Sequence, residues 1–200
     1  MSRSALLAFN AGLWEGSFIR LDGRGHEIDR FDSHLEVSET APGDRSDPRQ
    51  GEITAALTNR SSGQVRTMRF LEPPAEMQID PMAGHWSLGP DRIGPWPWVS
   101  ELALVHGDQR RRVVVRHGAE RLESLVVVVE GRPGQKLVLP AEPLVLEPLR
   151  QGEGTEAVVR WSPEPGLVIS TMAERRFGSP QWVGLHWDPQ PGVSPTTPQR

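Results

Sequence analysis

Nineteen prolines and twenty glycines punctuate this 200-residue chain, and breakers at that density leave little room for long helices. Between them lie short runs in which apolar and polar residues alternate. Residues 14–21 put Trp14, Gly16 and Phe18 on one face and Glu15 and Ser17 on the other, which is the period of a strand. The sequence D-G-R-G at 22–25 predicts a reversal, and a second strand follows with Phe31, Ser33, Leu35 and Val37 on one face.

The same pattern continues along the chain. Residues 40–51 are polar and breaker-rich and read as a loop, and alternating runs at 52–59 and 64–72 join through S-S-G. Short strands are expected at 77–80 and 84–88, while W-P-W at 96–98 reads as a loop or sheet edge because proline removes ladder donors. Residues 101–106, 111–117 and 121–130 read as hairpin-linked strands. The run L-V-V-V-V within the last of these predicts a strand covered on both faces. Further strands are expected at 137–139, 144–147, 156–162, 167–172 and 181–187, and a Pro-rich disordered tail at 188–200. Residues 4–10 predict one short helical turn.

About ten short strands at this spacing predict an all-β domain over residues 1–187. Closing an antiparallel up-and-down sheet removes its exposed edges, so a β-barrel is expected over a sandwich.

Composition narrows the function. The formal net charge of -4 gives no electrostatic footprint for nucleic acid. With no cysteine, disulfides, thiolate metal sites and cysteine nucleophiles are excluded. The N-terminal residues do not read as a secretory signal, no 18-residue apolar run occurs, and a cytoplasmic location is expected. No phosphate loop, G-x-S-x-G elbow or H-E-x-x-H is present, so no catalytic residue is assigned. His26, His34 and Glu36 are the one grouping considered for a metal, and no metal site is expected. Asp32 and Glu36 share a strand face that is expected to meet water; were it the interior, Arg20, Arg66 and Arg69 would be their partners.

Seven tryptophans carry the strongest hint. A barrel of about ten strands encloses a cavity, where indoles stack on a flat ligand and arginines pair with its carboxylates. Trp86, Arg116, Arg160 and Trp161 are the expected ligand contacts.

The helical turn, then Gly12-x-Trp14 at the head of the first strand, then the meander, resembles the lipocalin and calycin superfamily. The resemblance implies that Gly12 bends the chain into the strand and that Trp14 closes the barrel bottom under an arginine, for which Arg160, Arg175 or Arg176 would serve. More narrowly, W-E-G-S-F-I-R-L-D-G-R-G-H-E-I-D, the V-S-E ending the second strand and A-V-V-R-W-S-P-E-P-G-L-V-I-S near the C-terminus resemble a cyanobacterial and plastid family of lipocalin-like proteins. That family, of unassigned function, lies near the S-type and T-type phycobiliprotein chromophore lyases. What it implies is a binder of a tetrapyrrole, with a non-covalently held bilin as the cofactor class. Two alternatives stand beside it: a lyase handing a bilin to a phycobiliprotein subunit, and a protein-interaction module docking through W-P-W.

Overall fold

The structure, a computed structural model, describes residues 2–40, 51–94, 96–119, 121–154, 157–173, 177–180 and 182–189. Among the described residues one helix, α1 (Ser2–Asn10), precedes thirteen strands. These are β1 (Gly12–Asp22), β2 (Glu27–Glu39), β3 (Ile53–Asn59), β4 (Val65–Phe70), β5 (Met77–Ile79), β6 (Trp86–Leu88), β7 (Trp98–His106), β8 (Gln109–His117), β9 (Leu122–Gly131), β10 (Leu149–Gln151), β11 (Val158–Glu164), β12 (Leu167–Met172) and β13 (Val183–Trp187). No helix among the described residues is long and apolar enough to cross a membrane.

The first nine strands form one antiparallel sheet in the order β4-β3-β2-β1-β9-β8-β7-β6-β5, and the last four form a second sheet in sequence order. First and ninth strands pair, as in an up-and-down barrel, but no ladder joins β4 to β5. The chain is therefore all-β and antiparallel as expected, but the closed ten-strand barrel is corrected to a curled half-barrel open at one seam, with a second sheet beside it. The seam has local causes. β5 and β6 are three residues each, and Pro73 and Pro74 follow β4 where donors would be needed to continue the ladder.

Helix α1 straps the open seam near one end of the half-barrel. At its start, the Arg3 guanidinium donates to the carbonyls of Leu71, just past β4, and Gly51, and pairs with Glu39. At its end, Asn10 donates to the Gly84 carbonyl between β5 and β6 at 3.1 Å. Gly84 has φ +71°, and a Cβ there would lie 2.1 Å from that of Phe9. Only glycine lets the helix sit so close.

Strand alternation sends each half of the nine-stranded sheet's side chains to a separate core. On the concave face, Leu6 of α1 packs with Trp14, Leu35, Val37, Ile53, Ala55 and Val105, contacts that span the curl from β3 to β7. On the other face, Ile19, Leu21, Val113, Val115, Leu125, Val127 and Val129 meet Trp161, Leu167, Ile169 and Trp187 of the second sheet. The valine run is covered on both faces as expected, with Val127 and Val129 between the sheets and Val128 buried on the concave side.

Three boundaries differ from the sequence expectation. Trp98 opens β7 instead of lying in a loop. Residues 137–139 and 144–147 form no strand, apart from a bridge between Val145 and His26, and Pro140, Pro143 and Pro148 beside them remove ladder donors. The second sheet begins at 149 instead. Most of the expected tail, from 190 on, lies outside the described residues.

Gly16 tests the central pairing. It faces Glu130 of β9, and a Cβ built on it would fall 1.9 Å from the Val129 carbonyl oxygen. Gly16→Ala is expected to cost about 3 kcal/mol or more in chemical denaturation. Gly63→Ala, at φ +70° with nothing within 4 Å, is expected to cost only about 1–2 kcal/mol.

Candidate ligand-binding site

The half-barrel's base is sealed by charge. Three consecutive arginines of β8 alternate in direction, so Arg110 and Arg112 enter the concave side and Arg111 the space between the sheets. Arg110 Nε donates to Glu130 at 2.8 Å, and Arg112 holds the same carboxylate through both oxygens at 3.0 Å. Arg112 also donates to Glu101 at 2.8 Å. Burial alone would raise the Glu130 carboxyl, but the two guanidiniums outweigh it and hold it below its ordinary range. Burial pushes Arg110 down to about 10, so it stays charged at neutral pH. Arg112 is buried too, but Glu130 and Glu101 outweigh that and raise it.

Trp14 lies fully buried between two cations. The Arg110 guanidinium carbon stands 4.2 Å from its ring centroid and that of Arg132 stands 3.8 Å away. Its indole donates to the Asn10 carbonyl at 3.0 Å, while the Asn10 side-chain oxygen accepts from Arg110 at 3.1 Å and Trp86 at 3.2 Å. Gly12 has φ +93°, and a Cβ there would lie 3.0 Å from Arg132 Nη1. Gly12 and Trp14 lie at this base, Trp14 fully buried. The covering arginines are Arg110 and Arg132, not Arg160, while Arg175 and Arg176 lie outside the described residues.

Above this base the concave face opens into a cleft of about 460 Å³, within the roughly 300–1,000 Å³ range of small-molecule sites. Phe18 and Phe31, opposite each other in register, stack with centroids 5.1 Å apart and planes 11° from parallel. Arg112 sits 5.2 Å from the Phe18 centroid. Leu57, Val114 and Val126 extend the apolar lining, and Arg20, Asp29 and Arg66 contribute charge. Arg20 reaches Asp29 only at 3.8 Å with both side chains about half exposed, and among the described residues Arg66 has no ionic partner. The cleft offers a flat apolar platform with exposed cations beside it.

The expected ligand contacts do not come together. Trp86 is half-buried against the base, held by Asn10. Arg116 does lie on the concave side of β8, but exposed and paired with Glu123 at 2.9 Å. Arg160 and Trp161 are adjacent on β11 and point to opposite faces, Arg160 outward and Trp161 into the core between the sheets. His26, His34 and Glu36 do not assemble either: His34 pairs with Glu15 at 2.9 Å, and His26 lies 3.7 Å from Asp22. Asp32 takes a hydrogen bond from Ser17 on the face away from the cleft. In W-P-W, Trp98 is buried against His117, so that stretch does not present two exposed indoles.

Sequence reading missed Phe18 with Phe31 and the arginine triplet. The first depends on cross-strand register, but the second left a signal: R-R-R in a strand must drive a charge into each face. Glu130→Gln, which leaves two buried guanidiniums sharing a neutral partner, is expected to cost about 3–5 kcal/mol in denaturant unfolding. Because the folded-state carboxyl is lowered, its contribution is present above the unfolded carboxylate range and is lost as pH falls through the folded value. The variant is expected to lose that part of the acid limb of the stability profile.

No protein-family model matches the chain, and no curated protein does. A likeness is found among solved structures, to the crystal structure of a protein of unknown function of the DUF3598 family from the cyanobacterium Nostoc punctiforme. The TM-score is 0.60 at 17% sequence identity, over 86% of this chain and 78% of that one. At that identity the likeness is one of fold alone.

Proposed function

We propose that the protein binds a small, flat, carboxylate-bearing ligand in the concave cleft without doing chemistry on it. The observation that carries this reading is the parallel Phe18–Phe31 pair, set above a sealed base and beside Arg20 and Arg66. Stacked rings present a planar apolar surface of the kind that favours a conjugated ligand, and arginine forks match carboxylates. A tetrapyrrole of the bilin type meets both demands, being planar with two propionates. The lipocalin-type calyx and kinship with chromophore lyases belong to the same proposal, in a photosynthetic cytoplasm. If the protein hands its ligand on, the acceptor thiol belongs to a phycobiliprotein subunit, since this chain has no cysteine.

The test is a titration with biliverdin, followed by visible absorbance and calorimetry, with palmitate as a non-planar comparison. Saturable binding of biliverdin with a shifted spectrum is expected, weakened about tenfold or more in Phe31→Ala and in Arg66→Glu. Arg66 is exposed and unpaired among the described residues, so its reversal leaves the fold intact. Absence of saturable binding, or affinity indifferent to both substitutions, overturns the proposal. Incubating the loaded protein with a phycobiliprotein subunit separates the two forms of it: covalent colour on the partner marks transfer, and its absence marks a carrier.

A further inference from the structure

The ladder between β6 and β7 ends where Trp86 pairs with Ala103. There the chain turns away from β7 and closes on itself: Gly84 N–H donates to the Asp80 carbonyl at 2.9 Å, and Asp80 N–H to the His85 carbonyl at 2.8 Å. Two residues farther along β7, the Val105 N–H is met by a side chain instead of a strand, donating to Nδ1 of His85 at 3.1 Å. A backbone N–H can donate only to a nitrogen that carries a lone pair. The bond therefore exists only while Nδ1 is unprotonated and the ring neutral, with its proton on Nε2.

The residues on either side of His85 are where α1 lands. The Gly84 carbonyl accepts from the Asn10 amide, and the Trp86 indole donates to the Asn10 oxygen. His85 itself is half-buried beside a cleft of about 500 Å³, to which α1 contributes only the uncharged Ala8 and Phe9. Its nearest titratable neighbour is His106 of β7, with ring centroids 5.5 Å apart. Partial burial and the neighbouring His85 hold the His106 imidazole below its ordinary range, against the pull of Asp188. Asp108 and Arg132 line the same cleft, but Asp108 accepts from Gln135, and Arg132 is spent on the carbonyls of Leu13 and Phe9. Asp80 is turned into its own loop, accepting from the Met82 and Ala83 N–H groups. The second sheet presents the edge of Trp187 to His106 at 5.0 Å, with Asp188 next to it.

We propose that His85 is an acid-released pin on the strap of the half-barrel: a proton on Nδ1 breaks the bond to Val105, frees residues 84–86 from β7 and loosens the end of α1 that rests on them. A protonated ring sets N–H against N–H, so the contact turns from attraction to repulsion. The pin holds above the range in which imidazoles take a proton and is lost as pH falls through it. Arg3 keeps the start of α1 on the far side of the seam, because a guanidinium does not titrate there. The Glu130 cluster gives way only lower, in the carboxylate range. The device is separate from the concave cleft and stands whether or not that one binds a tetrapyrrole.

The experiment follows amide exchange and the indole resonances of the ¹⁵N-labelled full chain by NMR, from about pH 8 to about pH 5. The protection factor of the Val105 amide, which corrects for the intrinsic pH dependence of exchange, is expected to fall about tenfold or more over that range. The Trp86 indole signal, assigned from Trp86→Phe, is expected to shift with the same midpoint. His85→Asn places an amide oxygen where Nδ1 stands and accepts at any pH, so Val105 is expected to stay protected throughout. His85→Leu offers no acceptor and is expected to hold Val105 at the low value throughout. His106→Gln is expected to keep the transition. Protection that is flat with pH in the unaltered chain, or a fall that survives in His85→Asn, overturns the proposal. A transition abolished in His106→Gln would assign the switch to His106, and a Trp86 signal that stays still while Val105 loses protection would uncouple the pin from α1; either overturns it as well.

Discussion

The shared carboxylate of Glu130 is the interaction on which the half-barrel rests. Burying one carboxylate and two guanidiniums is costly, and the cost is offset only because each has a hydrogen-bonded counter-charge: Glu130 between Arg110 and Arg112, and Arg112 again with Glu101. Fixing Arg110 fixes Trp14 beneath it, and through Asn10 it fixes the end of α1. Between those two arginines in sequence, Arg111 points the other way, pairs with Glu164 of the second sheet at 2.7 Å and lies 4.4 Å from the Trp187 centroid. Three successive residues of one strand thereby join the helix, the curled sheet and the second sheet.

That arrangement also decides what the concave cleft can attract. The cations at its base are spent on internal partners, whereas Arg20 and Arg66 are exposed and loosely held or unpaired among the described residues. An amphipathic anion entering the cleft meets neutralised charge at depth and available charge near water. Under the proposed function, such a gradient would orient it with its ring system on Phe18 and Phe31 and its acid groups outward. Glu130→Gln would disturb this from below, while changes at Arg66 act only on the exposed side.

How far the sequence could be read depended on the range of the interaction involved. Alternation along β1, β2, β8 and β9 is local, and so the strands, their faces and the doubly covered valine run were legible. The bend at Gly12 and the buried indole of Trp14 leave a compact signature at a strand head. That β4 does not meet β5 was harder to read: Pro73 and Pro74 mark a break between them, but whether the two edges of a nine-stranded sheet close on each other depends on the geometry of the whole curl. The region 137–147 misled because its apolar residues imitate a strand while its prolines deny one. The ligand contacts expected at Arg160 and Trp161 failed for a different reason: adjacent residues on a strand cannot both face one cavity.

The unjoined seam has a mechanical meaning. In a closed barrel, strand number and shear are integers, so the radius can take only certain values and the lumen is of fixed calibre. A curl strapped by one helix near one end obeys no such quantisation. Its curvature is set by side-chain packing near the base and is free to relax by degrees toward the mouth, where β4 is exposed along nearly its whole length. If the proposed ligand binds, such a curl would adjust to its thickness without changing a single hydrogen bond of its ladders.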